Sequence, residues 1–279
     1  MTTEAPGRLY VVSTPIGNLG DFTFRAVEVL REVAGILAED TRHSRRLLDR
    51  YEIRTPVAAY HEHNEARSAP ALVARLQAGE SLALISDAGT PLLSDPGARL
   101  VAAAIAAGIP VVPIPGASAL LAALVASGFG AERFTFFGFL ARKGGERAQA
   151  LAEIAALPHL AVLYEAPGRV ADTLADLAAT AGEERPAAVA RELTKQFEEV
   201  RRGTVAQLAA YYRETAPRGE VVLVVGPAAA VELPSEEALR DRARALRGSG
   251  LSTRDAAAEL VREAGVPRNL AYRLAQEAE

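Results

Sequence analysis

Short apolar runs of strand length alternate with longer stretches of helical spacing along the first half of the chain. Residues 8–14 (RLYVVST) read as a buried strand, and 21–33 follow with helical spacing, with Asp21 placed to cap that helix. Residues 35–40 read as strand, 42–52 as helix, 56–60 as strand and 66–79 as helix ending at Gly79. A strand at 81–86 precedes a small-residue loop. Asp95 as N-cap and Pro96 in the first turn then predict a helix through Ala107. A strand at 109–114 and a helix at 116–128 complete the series. Such alternation over about 120 residues predicts a parallel, doubly wound α/β sheet.

The pattern changes after that. Strands are predicted at 133–139, 159–165, 186–195, 197–204 and 219–226, with helices only at 144–156, 167–181 and 204–215. Fewer helices per strand imply a mixed sheet with antiparallel members. Residues 226–237 read as a linker, and the remainder is helix pattern broken by Gly248, Gly250 and Gly265. The expected organisation is an N-terminal α/β domain over 1–116, a second α/β domain over 117–230 and a helical segment over 231–279.

Composition narrows the class. The chain has 279 residues, 49% apolar and 24% charged, an ordinary globular balance for one large domain or two smaller ones. It has no cysteine, which removes disulfides, thiolate metal sites and cysteine nucleophiles and suits a reducing, cytoplasmic setting. The N-terminus lacks a basic segment followed by an apolar one, and no apolar run approaches bilayer length, so neither a signal peptide nor a membrane anchor is expected. With a net charge of −4, any nucleic-acid partner needs a local basic patch.

The candidate chemistry lies at the predicted strand ends, where parallel sheets bind ligands. The first strand runs into STPIGNLGD, in which Gly17 and Gly20 allow tight turns. There is no G-x-G-x-x-G and no phosphate-loop motif. ISDAGTPLLSDPG (85–97) offers small residues around the Asp87 carboxylate, which suits a neutral or cationic ligand better than a pyrophosphate. Asp95 is accounted for as a helix cap, whereas Asp87 precedes the loop and is not. VPIPGASAL (112–120) repeats the theme with Ser118 near a helix start.

AEDTRHSRRLL (38–48) sets Glu39 and Asp40 beside Arg42, Arg45 and Arg46, either a base next to phosphate contacts or a charged helix face. YHEHNE (60–65) places His61 and His63 near Glu62 and Glu65. That is compatible with zinc or with a polar lining, and since His43 and His159, the only other histidines, offer no obvious third ligand, no metal is assigned. The C-terminal helices have helix-turn-helix spacing, but their balanced charge equally fits a packed hairpin.

Together these motifs, with FFGFLARK, LYEAPGR and VARELTKQFEEVRRGT, resemble the ribosomal RNA small subunit methyltransferase I family of the tetrapyrrole methylase superfamily, in order from about residue 8 to 226. The resemblance implies a two-domain methylase fold, a homodimer, and S-adenosylmethionine bound between the domains. The implied reaction is 2′-O-methylation of a cytidine ribose in the decoding region of 16S rRNA, with the small ribosomal subunit as partner. By the same matching, Pro15, Asp87, Gly89, Leu92, Ser118 and Ala119 should line the cofactor, with Glu165 and Glu220 as further contributors.

A ribose hydroxyl is a weak nucleophile, so a proton acceptor is expected, with Asp40, Glu39 and His63 as candidates and Lys195 as an outsider. Arg42, Arg45, Arg46, Arg142, Lys143, Arg201 and Arg202 are the candidate RNA-phosphate contacts. Two other readings compete: a small-molecule methylase of the tetrapyrrole type, and a non-enzymatic nucleic-acid binder using the C-terminal helices.

Overall fold

The computed structural model describes residues 6–228 and 234–278. Its first sheet holds β1 (Leu9–Val12), β2 (Gly35–Ala38), β3 (Val57–Ala59), β4 (Leu82–Ile85) and β5 (Val111–Ile114) in the order β3-β2-β4-β1-β5, all parallel. The crossover helices are α1 (Phe24–Glu32), α2 (Thr41–Arg50), α3 (Glu65–Gln77) and α4 (Ala98–Ala106). They cover both faces, which is why β2 and β4 are apolar at every position. Val27 and Leu30 of α1 and Leu47 and Leu48 of α2 pack on one face with Ile36 and Ile85. Leu72 and Leu76 of α3 and Leu100 of α4 pack on the other with Leu37 and Leu84. Neighbouring strands β1 and β4 therefore feed helices on opposite faces, and a crevice opens beyond their carboxyl ends.

The second sheet holds β6 (Phe134–Phe139), β7 (Leu160–Glu165), β8 (Pro186–Arg191), β9 (Glu199–Thr204) and β10 (Val221–Val225). Its order is β6-β7-β10-β8-β9, with only the β6–β7 pair parallel. Its two faces follow the strand alternation. Leu163, Val189 and Leu223 meet α6 (Gly145–Ala156), α7 (Val170–Ala181) and α8 (Val205–Glu214). Val162, Ala188 and Val224 meet α5 (Ala119–Ser127), and Ile16, from the loop after β1, joins that same core. Both sheets lie in one compact unit ending at Ala228. The helices α9 (Glu236–Gly248), α10 (Thr253–Ala264) and α11 (Arg268–Glu277) form a second unit around Leu239, Leu260 and Leu274. The boundary expected at 230/231 lies outside the described residues.

Three sequence expectations shift. Asp21 does not cap α1: Asn18 caps a short 3-10 turn over Leu19–Asp21, and the Thr23 hydroxyl caps α1 by accepting from the Ala26 amide. Asp95 does not cap α4, which starts after Gly97 at φ 128° with no side-chain cap. The strand expected over 186–195 stops at Arg191, because Glu192 and Thr194 turn into the left-handed region at φ 50° and 68°.

Arg185 fastens the last strand to α6. Its buried guanidinium donates to the Gly226 carbonyl at 2.7 Å, to Ala155 at 2.9 Å, to Ile154 at 3.0 Å and to Leu157 at 3.3 Å. Arg185→Ala strands these carbonyls and should lower unfolding stability by roughly 3 kcal/mol. Guanidinium chloride unfolding would read this as a lower midpoint at unchanged slope.

Candidate active site

The loops after β1 and β4 are tied to each other at the crevice. The Thr14 amide donates to the Gly89 carbonyl at 2.8 Å, and the Gly89 amide returns the bond to Thr14 at 3.0 Å. Hydroxyls reinforce the tie. Thr14 Oγ1 donates to the Ser86 carbonyl at 3.1 Å, and Ser13 Oγ donates to Thr90 Oγ1 at 3.2 Å. Thr90 Oγ1 in turn donates to the Ala117 carbonyl at 3.3 Å, drawing in the loop after β5. Asp87 has the structural role that the sequence left open: its Oδ1 accepts the Asp40 amide at 3.1 Å, fixing the loop after β2.

Two cavities open on this web and share Ile16, Asp87, Ala88 and Glu220. The first, about 300 Å³, carries the cations Arg46 and Lys195 and the His43 ring beside Pro15 and Gly17. The second, about 420 Å³, carries no cation: its charged lining is Asp87, Asp95, Glu165 and Glu220, and its apolar wall includes Leu93, Ala119, Phe139, Tyr164 and Val222. Lysine and arginine thus line only the first, basic cavity, where Asp87 and Glu220 on the wall shared with the second balance them in charge.

Of the residues expected to line one ligand, Asp87, Gly89, Ala119, Glu165 and Glu220 fall together on the second cavity. Pro15 lines the first. Leu92 lines neither cavity and packs against the core of the first sheet at φ 74°, and its neighbour Leu93 takes the place on the wall. Ser118 also stands outside both linings and caps α5 by accepting the Leu121 amide. The Glu165 carboxylate is buried, accepting from the Thr173 hydroxyl at 2.6 Å and from the Ala166 amide at 2.8 Å, and pairing with Arg169 at 3.2 Å. Its visible work is to hold the loop after β7.

The candidate proton acceptors line neither cavity. Asp40 caps α2, accepts from the Arg42 and His43 amides and pairs with the Arg42 side chain; the Arg42 bonds hold its carboxyl below the usual range. Burial first, and then the neighbouring Asp87, push the Glu39 carboxyl up. His63 is exposed, its ring edge-on to His61 with centroids 6.0 Å apart. Among the described residues no group of three or more metal-ligating side chains gathers. The ammonium of Lys195 is lowered by burial but raised further by bonds to Glu192 and Glu220, and it stays protonated.

Of the arginines, Arg46 reaches a cavity, and Arg42 and Arg45 share its helix. Arg142 and Lys143 are exposed ahead of α6 and stand outside both linings, although Phe139 shortly before them lines the second cavity. Arg201 pairs with Glu199 at 2.8 Å and lies 3.7 Å over the Tyr211 ring, and Arg202 donates to the Ala126 and Ser127 carbonyls. Both are committed within the fold.

Sequence reasoning missed Asp95 as a site residue, because Ser-Asp-Pro-Gly has the form of a helix start. Burial, followed by repulsion from Glu39 and Asp87, pushes its carboxyl up to about 6, and a bond with Ser86 offsets only part of this.

The fold and the crevice define a class. Residues 8–209 match the family of Tetrapyrrole (Corrin/Porphyrin) Methylases. Solved structures agree in fold. A cobalt precorrin-4 methyltransferase aligns over 78% of this chain and 94% of its own at TM-score 0.60 and 18% identity. A uroporphyrin-III C-methyltransferase from Thermus thermophilus, complexed with S-adenyl homocysteine, aligns over 79% and 97% at TM-score 0.58 and 20% identity.

The sequence relatives narrow the class. The chain is 50% identical over 275 residues to the ribosomal RNA small subunit methyltransferase I of Synechocystis sp., covering 98% of this chain and 99% of the relative. It is 45% identical over 277 residues to the same-named protein of Escherichia coli O157:H7, covering 98% and 96%. The chain belongs to the ribosomal RNA small subunit methyltransferase I family.

The Asp95 environment makes stability depend on pH with a definite sign. A carboxyl with a folded value near 6, above its ordinary 3.8, favours folding below the lower value, and that contribution is lost as pH rises through 6. Asp95→Asn should therefore raise Tm relative to the parent at pH 8 and leave it unchanged near pH 3, as read by calorimetry at both values.

Proposed function

We propose that this protein transfers a methyl group from S-adenosylmethionine to the ribose 2′-hydroxyl of a cytidine in the decoding region of 16S rRNA. It acts on the small ribosomal subunit in the cytoplasm, as a homodimer. The observation that carries the reading is the division of the crevice into an acidic cavity without lysine or arginine and a cavity that carries Arg46 and Lys195, the two meeting at Asp87 and Glu220.

The acidic cavity fits the cofactor. A sulfonium is a cation, and Asp87, Asp95 and Glu220 supply negative charge with no competing cation in the lining. Phe139, Tyr164 and Leu93 offer the apolar, aromatic surface that a nucleoside base requires. When bound, S-adenosylmethionine supplies a methyl group on a positively charged sulfur, open to in-line attack by oxygen. Asp87, Gly89, Ala119 and Glu220 would contact it, with Leu92 and Ser118 holding the loops behind, Glu165 bracing the loop after β7 and Pro15 bounding the far side.

The basic cavity fits an RNA strand, with Arg46 as the phosphate contact nearest the shared wall and Arg42 and Arg45 extending the track along α2. Arg142 and Lys143 are assigned to a more distant stretch of RNA. Arg201 and Arg202, held by Glu199 and by backbone carbonyls, are assigned to framing rather than contact.

Removal of the hydroxyl proton falls best to Glu39, whose raised carboxyl is poised closer to neutrality than the capped Asp40. His63 is the outermost of the three. The work divides among residues 1–116 (RNA and first wall), 117–230 (second wall) and 231–279 (additional RNA affinity). Against a tetrapyrrole-type substrate, the named relatives support the RNA reading.

The deciding experiment incubates the protein with methyl-labelled S-adenosylmethionine and small subunits from cells lacking this modification, then maps the label by nuclease digestion and mass spectrometry. A ribose-methylated cytidine in the decoding region is expected, and label on a base or no label overturns the reading. Cofactor affinity should also tighten several-fold as pH rises through 6 and Asp95 gains its charge. Asp95→Asn should flatten that profile in a titration calorimeter.

A further inference from the structure

Lys195 sits where the two sheets' loops meet. Its Nζ lies 2.9 Å from Glu192 Oε1 and 3.0 Å from Glu220 Oε2. The segment that presents it is built for the purpose. Glu192 and Thr194 accept strained, left-handed backbone at φ 50° and 68°. The Thr194 hydroxyl accepts the Asn18 amide at 3.2 Å, pinning the segment to the loop after β1. Two glycines make room for it. A Cβ on Gly17 would stand 2.4 Å from Lys195 Cγ, and one on Gly219 would stand 1.9 Å from Glu192 Oε1.

The two carboxylates differ in their surroundings. Glu192 is mostly buried and lines neither cavity, and it also accepts the Glu220 amide at 3.3 Å. Glu220 is largely exposed and lines both cavities. Lys195 faces the basic cavity alone, beside His43 and Arg46. In this arrangement its charge is neutralised by two acids, so it is a poor anion ligand. A cation in the acidic cavity offers Glu220 another partner. Withdrawal of Glu220 leaves Lys195 with one acid, frees an N–H and removes one negative charge from beside the basic cavity.

We propose that Glu220 couples the two cavities: a cation bound in the acidic cavity draws Glu220 off Lys195, and Lys195 becomes the phosphate-positioning group of the basic cavity. The proposal rests on the assignment of cofactor and RNA to these two cavities. It makes cofactor and RNA bind cooperatively, with the same factor in either order, because coupling between sites is reciprocal.

The test uses sinefungin, whose amine carries a charge in place of the sulfonium and has no methyl to transfer, and S-adenosylhomocysteine, whose thioether is neutral. Calorimetry first measures whether each binds the free protein. Affinity for small subunits lacking the modification is then measured alone and with each compound at saturation. The parent should bind subunits about tenfold more tightly with sinefungin and little differently with S-adenosylhomocysteine.

Glu220→Gln should bind subunits tightly without any compound and gain nothing from sinefungin. Lys195→Met should bind weakly in every condition. A full sinefungin gain retained in Glu220→Gln would mean that direct attraction between cofactor and phosphate suffices, and would overturn the proposal. So would an absent gain in the parent once calorimetry has shown sinefungin bound, a result that leaves the assignment of the cavities standing. If sinefungin fails to bind at all, the cavity assignment falls, and the coupling falls with it.

Discussion

The reciprocal pair of backbone bonds between Thr14 and Gly89 is the constraint on which the site depends. Parallel strands end with their loops free, and β1 and β4 send their chains to opposite faces of the sheet. Left alone, the two loops would diverge. The bridge holds them together above the central strands, and the Ser13, Thr14 and Thr90 hydroxyls extend it to the loop after β5. Ile16 then enters the core beneath α5, so the loop after β1 is also anchored in the second sheet. The crevice walls gain rigidity from both halves.

On that frame the site stores unfavourable features that the core would not tolerate. Asp87 and Asp95 share one cavity wall, and Glu39 adds its charge to both. Leu92, Ser94, Glu192 and Thr194 hold left-handed backbone in the two loops that face the crevice. Like charges held close and strained loops persist where the surrounding structure over-determines them, and they cluster where a ligand supplies the missing partner. A cationic ligand among these acids relieves the repulsion, so binding and stabilisation are linked.

Charge is partitioned over a short distance. Net acidity would repel RNA from the molecule as a whole, yet Arg46 and Lys195 place positive charge at one cavity. Several other basic side chains of the same motifs are spent internally: Arg201 on Glu199 and Tyr211, Arg202 on the carbonyls that end α5, Arg169 on Glu165. Counting basic residues in a motif therefore overstates the surface that RNA can meet.

The sequence by itself determined the alternation of strands and helices, the parallel first sheet and mixed second, and the loops at which chemistry gathers. These follow from local periodicity and from turn residues, which act over a few positions. It also marked Asp87 as unexplained by capping, and the fold assigns that side chain to the Asp40 amide and to both cavities. Only the tertiary structure decided that Asp95 serves the cavity and that Thr23 rather than Asp21 begins α1, because a cap depends on where the first amides point. It alone decided that Leu93 rather than Leu92 faces the second cavity, since φ at one residue sets which side chain turns inward. Lys195 meets Gly17 across 178 residues of chain (195 minus 17), and such contacts belong to the packing of two sheets rather than to any local pattern.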